Sequence, residues 1–503
     1  CLGFAVAGGG TDASRLSDAY NFDSAVRCFG LNTGMVMSVT HSDASQQTQG
    51  DFVVEVPAPT QSVSAQETQP GEDPPITYEP NVMDFDFAQL AQTEKNSHIA
   101  AIDQYVSTVQ PSLKNEYTGM FQGKNLILIT AEAFAKQVID PERTPTLYRM
   151  ATKGIQFTDY YQPAWGGSTT TGEFSNLIGL VPGNVGMCMK QAVYQDLFLT
   201  MGHQLQKLGY YSAAYHNHNA DYYDRNKTHT KLGYDRFLAR YGGLEGITPV
   251  WPESDLEMID ISVPQYIDQQ PFSIYYMTVS GHCGYSLKDN AMSRKNYDLI
   301  DYDGSEAVKC YLASQLELEN AMTSLIRQLE EAGIADDTVI VISPDHYPYG
   351  LERSATWKNA KNYLCELYGV TEVDRFTRDN SALIIWSGCL EDKNLKVETP
   401  VYSLDILPTL SNLFGVDYDS RLLVGRDVFS DSEPLVLWPE FSWKTDKGTY
   451  DAASKTFTPA EGVTVDEGYV ERIGNTVSNK INFSKKVQDQ LYFNTLSKIM
   501  NGG

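Results

Sequence analysis

The 503-residue chain has no apolar run of the roughly 18 residues that a membrane-spanning helix needs. Its seven cysteines are scattered without a CxxC pair, which argues against a structural zinc site and leaves room for at most an isolated disulfide among mostly buried thiols. Positive charge is also scarce, because 38 basic residues stand against 64 acidic ones, for a formal net charge of −26. The body of the protein should therefore repel nucleic acid and anionic membrane surfaces, and an anionic substrate would need a metal or a local cluster of cations.

The N-terminal part of the chain differs in composition from the rest. The opening stretch, residues 1–7, is apolar and begins without methionine, so it is either the end of a truncated spanning helix or an ordinary terminus. Residues 42–80 are rich in Gln, Ser, Thr, Pro and acid, which predicts a linker or surface-draped extension. Residues 84–109 are expected to be helical, and Lys124 opens the main domain. We therefore expect residues 1–123 to form an N-terminal juxtamembrane extension, flexible linker and helix.

Strand-like and helix-like segments alternate through residues 124–431, which is typical of an α/β fold with a mixed, mostly parallel sheet sandwiched by helices. Residues 432–503 are expected to form a small C-terminal α+β subdomain, with an antiparallel unit and a helix from about Lys485 to Met500. The predicted strands are Asn125–Thr130, Tyr210–Tyr215, Phe272–Val279, Thr338–Ser343 and Ala382–Trp386. The predicted helices are Thr144–Thr152, Leu197–Leu208, Ser305–Ala332 and Leu404–Phe414.

A glycine- and hydroxyl-rich turn, Trp165–Phe174, leads into an apolar run that predicts a helix beginning near Gly172. Two glycines allow a tight backbone, and the amides at a helix start favour an anion, so the turn could present a hydroxyl nucleophile to a phosphate. Serine and threonine also collect before helices simply because their oxygens cap free N–H groups. The turn alone leaves both interpretations open.

Polar side chains follow two of the predicted strands directly. Glu132 comes one step after the first strand, and Asp345 and His346 end the fourth. In an open α/β sheet, ligands gather at the carboxyl ends of the strands. With one threonine hydroxyl, these residues would offer a donor set suited to Mn²⁺, Mg²⁺ or Zn²⁺, although each could instead be an ordinary cap or turn residue. Such a metal would lower the pKa of the hydroxyl and offset charge on phosphorus.

Histidines follow two other strands. His216 and His282 come immediately after apolar strands, and with Arg225 they would donate hydrogen bonds to phosphate oxygens. We expect His218 and His229 to be solvated loop histidines instead.

The order of these features resembles the extracellular catalytic domain of lipoteichoic acid synthases, in the sulfatase-like branch of the alkaline phosphatase superfamily. The resemblance covers roughly residues 124–429 and, more loosely, residues 28–32. The residues that carry it are Glu132, the turn ending in Glu173-Phe174, His216 with Arg225 nine places on, Ser280-Gly-His282 and Pro344-Asp-His346.

The resemblance implies a role for individual residues. Thr169 corresponds to the nucleophile, because the Glu-Phe pair lies four and five places on. The implied metal ligands are Glu132, Thr169, Asp345 and His346, and the implied phosphate and glycerol contacts are His216, Tyr223, Arg225 and His282. The chain departs from the family pattern at Ser168, Thr170, Thr171, Tyr223 and Pro344. These departures leave the implied reaction class intact.

The activity that the resemblance implies is metal-dependent glycerophosphate transfer, with Mn²⁺ preferred over Mg²⁺ or Zn²⁺. Thr169 would take glycerol phosphate from phosphatidylglycerol or a related lipid and pass it to a polyglycerol-phosphate chain. The protein would act at the extracellular face of a bacterial membrane, tethered by a spanning region absent from this chain or released by cleavage. The alternatives are a phosphodiesterase or phosphatase and a non-catalytic glycerophosphate-binding module. A sulfatase activity is disfavoured, since no Cys/Ser-x-Pro-x-Arg motif could supply a formylglycine.

Overall fold

The computed structural model describes Phe52 and residues 77–166, 169–183, 188–352 and 361–502. The apolar opening and nearly all of the predicted linker lie outside these ranges.

In the described ranges the strands, in chain order, are β1 (Asn125–Ala131), β2 (Gln156–Phe157), β3 (Tyr160–Tyr161), β4 (Tyr211–Asn219), β5 (Arg236–Arg240), β6 (Phe272–Met277), β7 (Thr338–Pro344), β8 (Asn380–Ser381), β9 (Ile384–Trp386), β10 (Lys396–Val397), β11 (Val401–Tyr402), β12 (Val436–Leu437), β13 (Trp443–Thr445), β14 (Gly448–Asp451) and β15 (Thr456–Pro459). The α-helices in the same ranges are α1 (Phe87–Thr93), α2 (Ser97–Thr108), α3 (Pro145–Lys153), α4 (Thr169–Ile178), α5 (Cys188–Ala192), α6 (Met201–Lys207), α7 (Arg225–Thr228), α8 (Asp255–Ser262), α9 (Ala291–Asn296), α10 (Glu306–Glu331), α11 (Tyr363–Tyr368), α12 (Arg375–Asp379), α13 (Ile406–Leu413), α14 (Tyr469–Asp489) and α15 (Tyr492–Met500).

The central sheet has the strand order β5-β4-β6-β1-β7-β9. All neighbouring pairs are parallel except β7 and β9, which run antiparallel. The predicted mixed, mostly parallel sheet is confirmed, and the five predicted strands all belong to it. β5 was missed because its sequence, Arg-Phe-Leu-Ala-Arg, is short and charged at both ends, as an edge strand tolerates.

Helices cover both faces of this sheet because its middle strands are apolar on both sides. Every residue of β1, β6 and β7 is buried. Along β1, Leu126 and Leu128 join one hydrophobic core, with side chains from α4, α6 and α13, while Ile127 and Ile129 join a second, with α3, α8 and α10. This alternation follows from the two-residue period of a strand and explains the continuous apolar runs in the sequence.

The C-terminal part contains the predicted antiparallel unit, a sheet of order β12-β13-β14-β15. The helix predicted from Lys485 is wrong in its start: α14 begins at Tyr469, and the chain turns through Leu491, at φ +49°, before α15. The pattern before Lys485 contains Gly474 and several polar residues, which concealed the helix.

The N-terminal segment, predicted to be helical over residues 84–109, forms two helices. Asp86 and Asn96 cap α1 and α2 by accepting hydrogen bonds from backbone amides of each first turn. α2 packs on the C-terminal helices, where Tyr105 lies 5.6 Å from Phe483 and Tyr492 donates a hydrogen bond to Asp103. The described part of the chain contains no helix that is both long and apolar enough to cross a bilayer.

Candidate active site

The strand register brings the acidic residues of the site together. β1 and β7 are adjacent and parallel, with Thr130 opposite Ser343 and Ala131 opposite Pro344. Glu132 and Asp345 therefore leave the same edge of the sheet side by side, at the carboxyl ends of the two strands. Both side chains are buried.

Hydrogen bonds orient Asp345 and His346. The Oδ1 atom of Asp345 accepts from the backbone amides of Ala133 and His346, each at 2.8 Å. The Nδ1 atom of His346 donates to the carbonyl oxygen of Tyr347 at 2.9 Å. Because these atoms are committed to the backbone, Asp345 Oδ2 and His346 Nε2 are the atoms left to bind a ligand, an arrangement common among metal-binding side chains.

Helix α4 supplies the hydroxyl. It begins at Thr169, so the prediction of a start near Gly172 is wrong, and all three threonines lie in the first turn. Gly172 lets the helix approach β7, because a Cβ there would stand 1.8 Å from the carbonyl oxygen of Asp345. Asn176 then fastens the helix by donating to the carbonyl oxygen of Pro344 at 3.1 Å.

Helical geometry distinguishes the three threonines. Thr169 is buried, and its Oγ1 donates a hydrogen bond of 3.2 Å to Glu132 Oε2. Successive side chains on a helix are rotated by about 100°, so Thr170 and Thr171 point elsewhere. Thr171 is also buried, while Thr170 is half-buried. Among the three, Thr169 is the one whose hydroxyl bonds to the acidic pair.

The Glu132, Asp345 and His346 cluster fits a divalent cation. One donor atom from each lies within 4.8 Å of the others. His346 Nε2 is 3.2 Å from Asp345 Oδ2 and 3.4 Å from Glu132 Oε1, yet these three buried atoms make no hydrogen bond within the described residues. Buried polar atoms without partners are costly, and two carboxylates with one imidazole are a common ligand set for Mn²⁺, Zn²⁺ or Mg²⁺. The residues present therefore match the expected metal.

The electrostatics of the cluster point the same way. Burial, together with the charge of Glu132, raises the pKa of Asp345 above its ordinary value. Although burial lowers the pKa of His346, the neighbouring Asp345 and Glu132 charges outweigh it and raise that pKa overall. Both shifts arise because two buried carboxylates attract positive charge, which a cation would also supply.

A buried carboxylate that the sequence reasoning did not assign, Glu173, organises the neighbouring basic residues. Its oxygens accept from Arg225 Nε at 3.2 and 3.3 Å and Nη2 at 3.0 Å, from His229 Nε2 at 3.0 Å and from the Tyr275 hydroxyl at 3.0 Å. Although burial raises the pKa of Glu173, the charges of Arg225 and His229 hold it well below its ordinary value. The sequence singled out Glu173 only through the Glu173-Phe174 pair and as an acidic residue inside an apolar helix pattern, neither of which indicates its basic partners.

His216 and Arg225, both predicted phosphate contacts, are in contact with each other. His216 Nδ1 donates to the carbonyl oxygen of Met277 at 2.9 Å, and Arg225 Nη1 approaches His216 Nε2 at 3.4 Å. Burial and the charge of Arg225 hold the pKa of His216 well below its ordinary value, which favours the neutral imidazole. Both side chains are buried, and the Arg225 guanidinium is shared between Glu173 and His216.

The remaining predicted contacts line the outer part of the site. The Tyr223 ring lies 5.3 Å from the Arg225 guanidinium, held by a backbone turn at φ +59°. The half-buried His282 ring lies 4.7 Å from Trp251. Burial raises the pKa of Glu132, but His346 and, to a smaller extent, His282 lower it below its ordinary value. The turn that carries His282 packs against Glu132, because a Cβ on Gly281 would stand 2.3 Å from the Glu132 carbonyl oxygen.

The expectation that His218 and His229 are solvated is wrong. His229 is fully buried against Glu173, and His218 is half-buried with its Nδ1 2.8 Å from Glu253 Oε1. Their acidic partners are 56 and 35 residues away in sequence, so local composition could not reveal them.

Comparisons with known proteins identify the family and the fold of the chain. A family model described as "Sulfatase" matches residues 124–416. The chain is similar to lipoteichoic acid synthase 1 of Bacillus subtilis (strain 168), with 25% identity over 386 residues that cover 73% of this chain and 58% of that protein. The chain thus spans less than two thirds of the length of this relative.

Two solved structures share the fold. One is the crystal structure of the lipoteichoic acid synthase LtaP from Listeria monocytogenes, with 20% identity, a TM-score of 0.62 and coverage of 77% of this chain and 97% of that one. The other is a protein in the alkaline phosphatase superfamily from Vibrio parahaemolyticus, with 18% identity, a TM-score of 0.57 and coverage of 81% and 99%. The expected alkaline phosphatase-like architecture is thereby confirmed.

Proposed function

This chain belongs to the sulfatase family, and on that premise we propose that it is a metal-dependent glycerophosphotransferase of the lipoteichoic acid synthase type, with Thr169 as the nucleophile. The observation that carries the proposal is the hydrogen bond of Thr169 Oγ1 to Glu132 Oε2, at the edge of the Glu132, Asp345 and His346 cluster. A hydroxyl at the start of a helix, beside three unsatisfied ligand atoms, is well placed to attack a phosphate ester.

Several residues of the site have a part in this reaction. Glu132 Oε2 orients the Thr169 hydroxyl. The close approach of Gly172 to Asp345 and the hydrogen bond from Asn176 to Pro344 hold α4 in place. A divalent cation held by Glu132, Asp345 and His346, with Mn²⁺ as the preferred ion, would stabilise negative charge on the Thr169 oxygen and on phosphorus. Two hydrogen-bond donors, Arg225 and His282, orient the phosphate oxygens. The charge of Arg225 is partly offset by Glu173.

The substrate assignment rests on the resemblance to lipoteichoic acid synthases. We propose that glycerol phosphate moves from phosphatidylglycerol, or a related glycerophospholipid, to Thr169 and then to a polyglycerol-phosphate acceptor. In this proposal residues 124–431 are the catalytic domain, residues 1–123 the juxtamembrane extension, and residues 432–503 a small C-terminal subdomain. The protein works at the extracellular face of a bacterial membrane.

Mass spectrometry of the intact protein and its peptides after incubation with phosphatidylglycerol and Mn²⁺ tests the proposal. We expect a glycerophosphoryl adduct on Thr169 and release of diacylglycerol. The adduct should be absent in Thr169→Ala and should depend on Mn²⁺. Binding of the lipid without an adduct or diacylglycerol would identify a binding module instead. Steady release of free glycerol phosphate, even with acceptor present, would identify a hydrolase.

A further inference from the structure

A further histidine, His218, lies at the site but has no part in the reaction described above. It follows His216 by two residues at the carboxyl end of β4, so the two side chains lie on the same face of the strand, with ring centroids 6.2 Å apart. His218 Nδ1 is 2.8 Å from Glu253 Oε1, and its Nε2 makes no hydrogen bond within the residues that the structure describes. The side chain keeps 17% of its surface exposed, so Nε2 is the nitrogen left for a ligand.

Glu253 is held rigidly as the partner of His218. Its carboxylate is buried, and Oε1 also accepts from Arg240 Nη1 at 2.7 Å. Its backbone carbonyl accepts from the Ser280 hydroxyl at 2.9 Å, in the turn that carries His282. A carboxylate that holds one imidazole nitrogen fixes the tautomer and orientation of the ring. Arg240 balances the charge of the carboxylate.

The surroundings of His218 place it on the open side of the site. Its ring lies 5.0 Å from the ring centroids of both Tyr222 and Trp251, which are 36% and 38% exposed. Trp251 in turn contacts the ring of His282. Tyr222, His218 and Trp251 thus form a partly exposed wall of the site, next to His216 and His282. Thr169 and its acidic neighbours, in contrast, are buried.

Phosphoryl transfer places the attacking and leaving oxygens roughly in line on opposite sides of phosphorus. With Thr169 on the buried side, the leaving oxygen lies toward the exposed wall. From this geometry, we propose that His218 is the proton donor to the alcohol that leaves phosphorus and the proton acceptor from the alcohol that arrives, with Glu253 as its positioning residue. This inference rests on the proposed glycerophosphotransfer.

The proton balance closes over the two half-reactions. In the first, the Thr169 hydroxyl passes its proton to Glu132 Oε2, to which it is hydrogen-bonded, and the Thr169 Oγ–P bond forms. The P–O bond to the diacylglycerol breaks with its electron pair on the diacylglycerol oxygen, and the proton of His218 Nε2 moves to that oxygen. In the second, the acceptor hydroxyl oxygen bonds to phosphorus and gives its proton to His218 Nε2, while the electron pair of the Thr169 Oγ–P bond returns to the Thr169 oxygen, which takes its proton back from Glu132 Oε2. His218 ends as it began, protonated.

The test compares leaving groups, because a good leaving group does not need a proton donor. Turnover of His218→Gln should fall by about 10²- to 10³-fold with phosphatidylglycerol, the range of general acid catalysis, and by no more than about threefold with a p-nitrophenyl glycerol phosphodiester. Glu253→Gln should show the same contrast with a smaller loss. The control variant His98→Gln changes an exposed histidine of α2 and should retain wild-type turnover on both substrates.

Calorimetry gives the melting temperature and the Mn²⁺ affinity of His218→Gln, which show whether the variant is folded and keeps its metal site. Equal losses on both substrates, with Mn²⁺ affinity unchanged, would overturn the proton-transfer role. A contrast between leaving groups found in His282→Gln but not in His218→Gln would overturn it as well. These results are separable from a failure of the proposed function, in which the wild-type protein itself would form no adduct on Thr169.

Discussion

Replacing Glu173 by glutamine should destabilise the protein, because it breaks the buried ion pair between Glu173 and Arg225. The carboxylate is fully buried and accepts hydrogen bonds from Arg225, His229 and Tyr275, while Arg225 is 1% exposed. Glutamine keeps the shape of the side chain but removes its charge. Its amide N–H₂ group would then face donors, because Arg225 Nε, Arg225 Nη2 and His229 Nε2 all point at the position of the carboxylate oxygens.

The expected cost follows from leaving a buried cation without its anion. Removing one partner of a buried pair typically costs about 3–5 kcal/mol, because the remaining charge loses its compensation. We therefore expect the free energy of unfolding of Glu173→Gln to fall by at least about 3 kcal/mol. The exposed pair of Glu330 with Arg149 provides a matched control, since Glu330→Gln breaks a surface contact and should cost no more than about 1 kcal/mol.

Urea unfolding of four proteins measures the effect: wild type, Glu173→Gln, Arg225→Met and the double variant. If the two residues compensate each other, the double variant should lose less than the sum of the single losses, by roughly 1–3 kcal/mol. Additive losses, or a cost for Glu173→Gln as small as that of Glu330→Gln, would refute the view that Glu173 holds Arg225 in the site.

Three further predictions concern the nucleophile, the approach of α4 and the stability at high pH. Thr169→Ala should lower turnover of phosphatidylglycerol by roughly three powers of ten or more. Thr170→Ala and Thr171→Ala should each raise the activation barrier by only about 0.5–1.5 kcal/mol, the cost of a lost hydrogen bond. An inactive Thr170→Ala beside an active Thr169→Ala would contradict the assignment of the nucleophile. Gly172→Ala should lower both the melting temperature and the Mn²⁺ affinity, because the added Cβ would stand 1.8 Å from the Asp345 carbonyl oxygen. In the control, Gly474→Ala in α14, the added Cβ would meet nothing within 4 Å, so that change should be neutral or stabilising. Calorimetry of the two variants measures both effects. Burial raises the pKa of the Asp103 carboxyl from 3.8 to about 6. The contribution of the protonated carboxyl to stability is therefore fully present below pH 3.8 and is lost as the pH rises through about 6. Asp103→Asn should therefore raise the free energy of unfolding by up to about 3 kcal/mol near pH 8 and change it little near pH 4, and equal effects at the two pH values would contradict this.

The sequence by itself determined the architecture and the positions of the residues that we propose to bind the metal. Strands buried on both faces must be continuously apolar, so β1, β6 and β7 could be read directly from residues 125–130, 272–279 and 338–343. Polar residues that interrupt such runs lie at strand ends, and parallel strands bring those ends to one edge of the sheet. Glu132, Asp345 and His346 were identifiable on these grounds.

The tertiary structure decided the partners of each side chain. The three consecutive threonines are chemically alike, and only the rotation of α4, set by the close approach of Gly172 to Asp345, directs Thr169 to Glu132. Glu173 with Arg225, and Glu253 with His218, are joined across 52 and 35 residues of sequence. A short-range pattern carries no information about such contacts, because they depend on how separate strands and helices pack. The burial of His229 and the role proposed for His218 therefore emerge only from the folded chain.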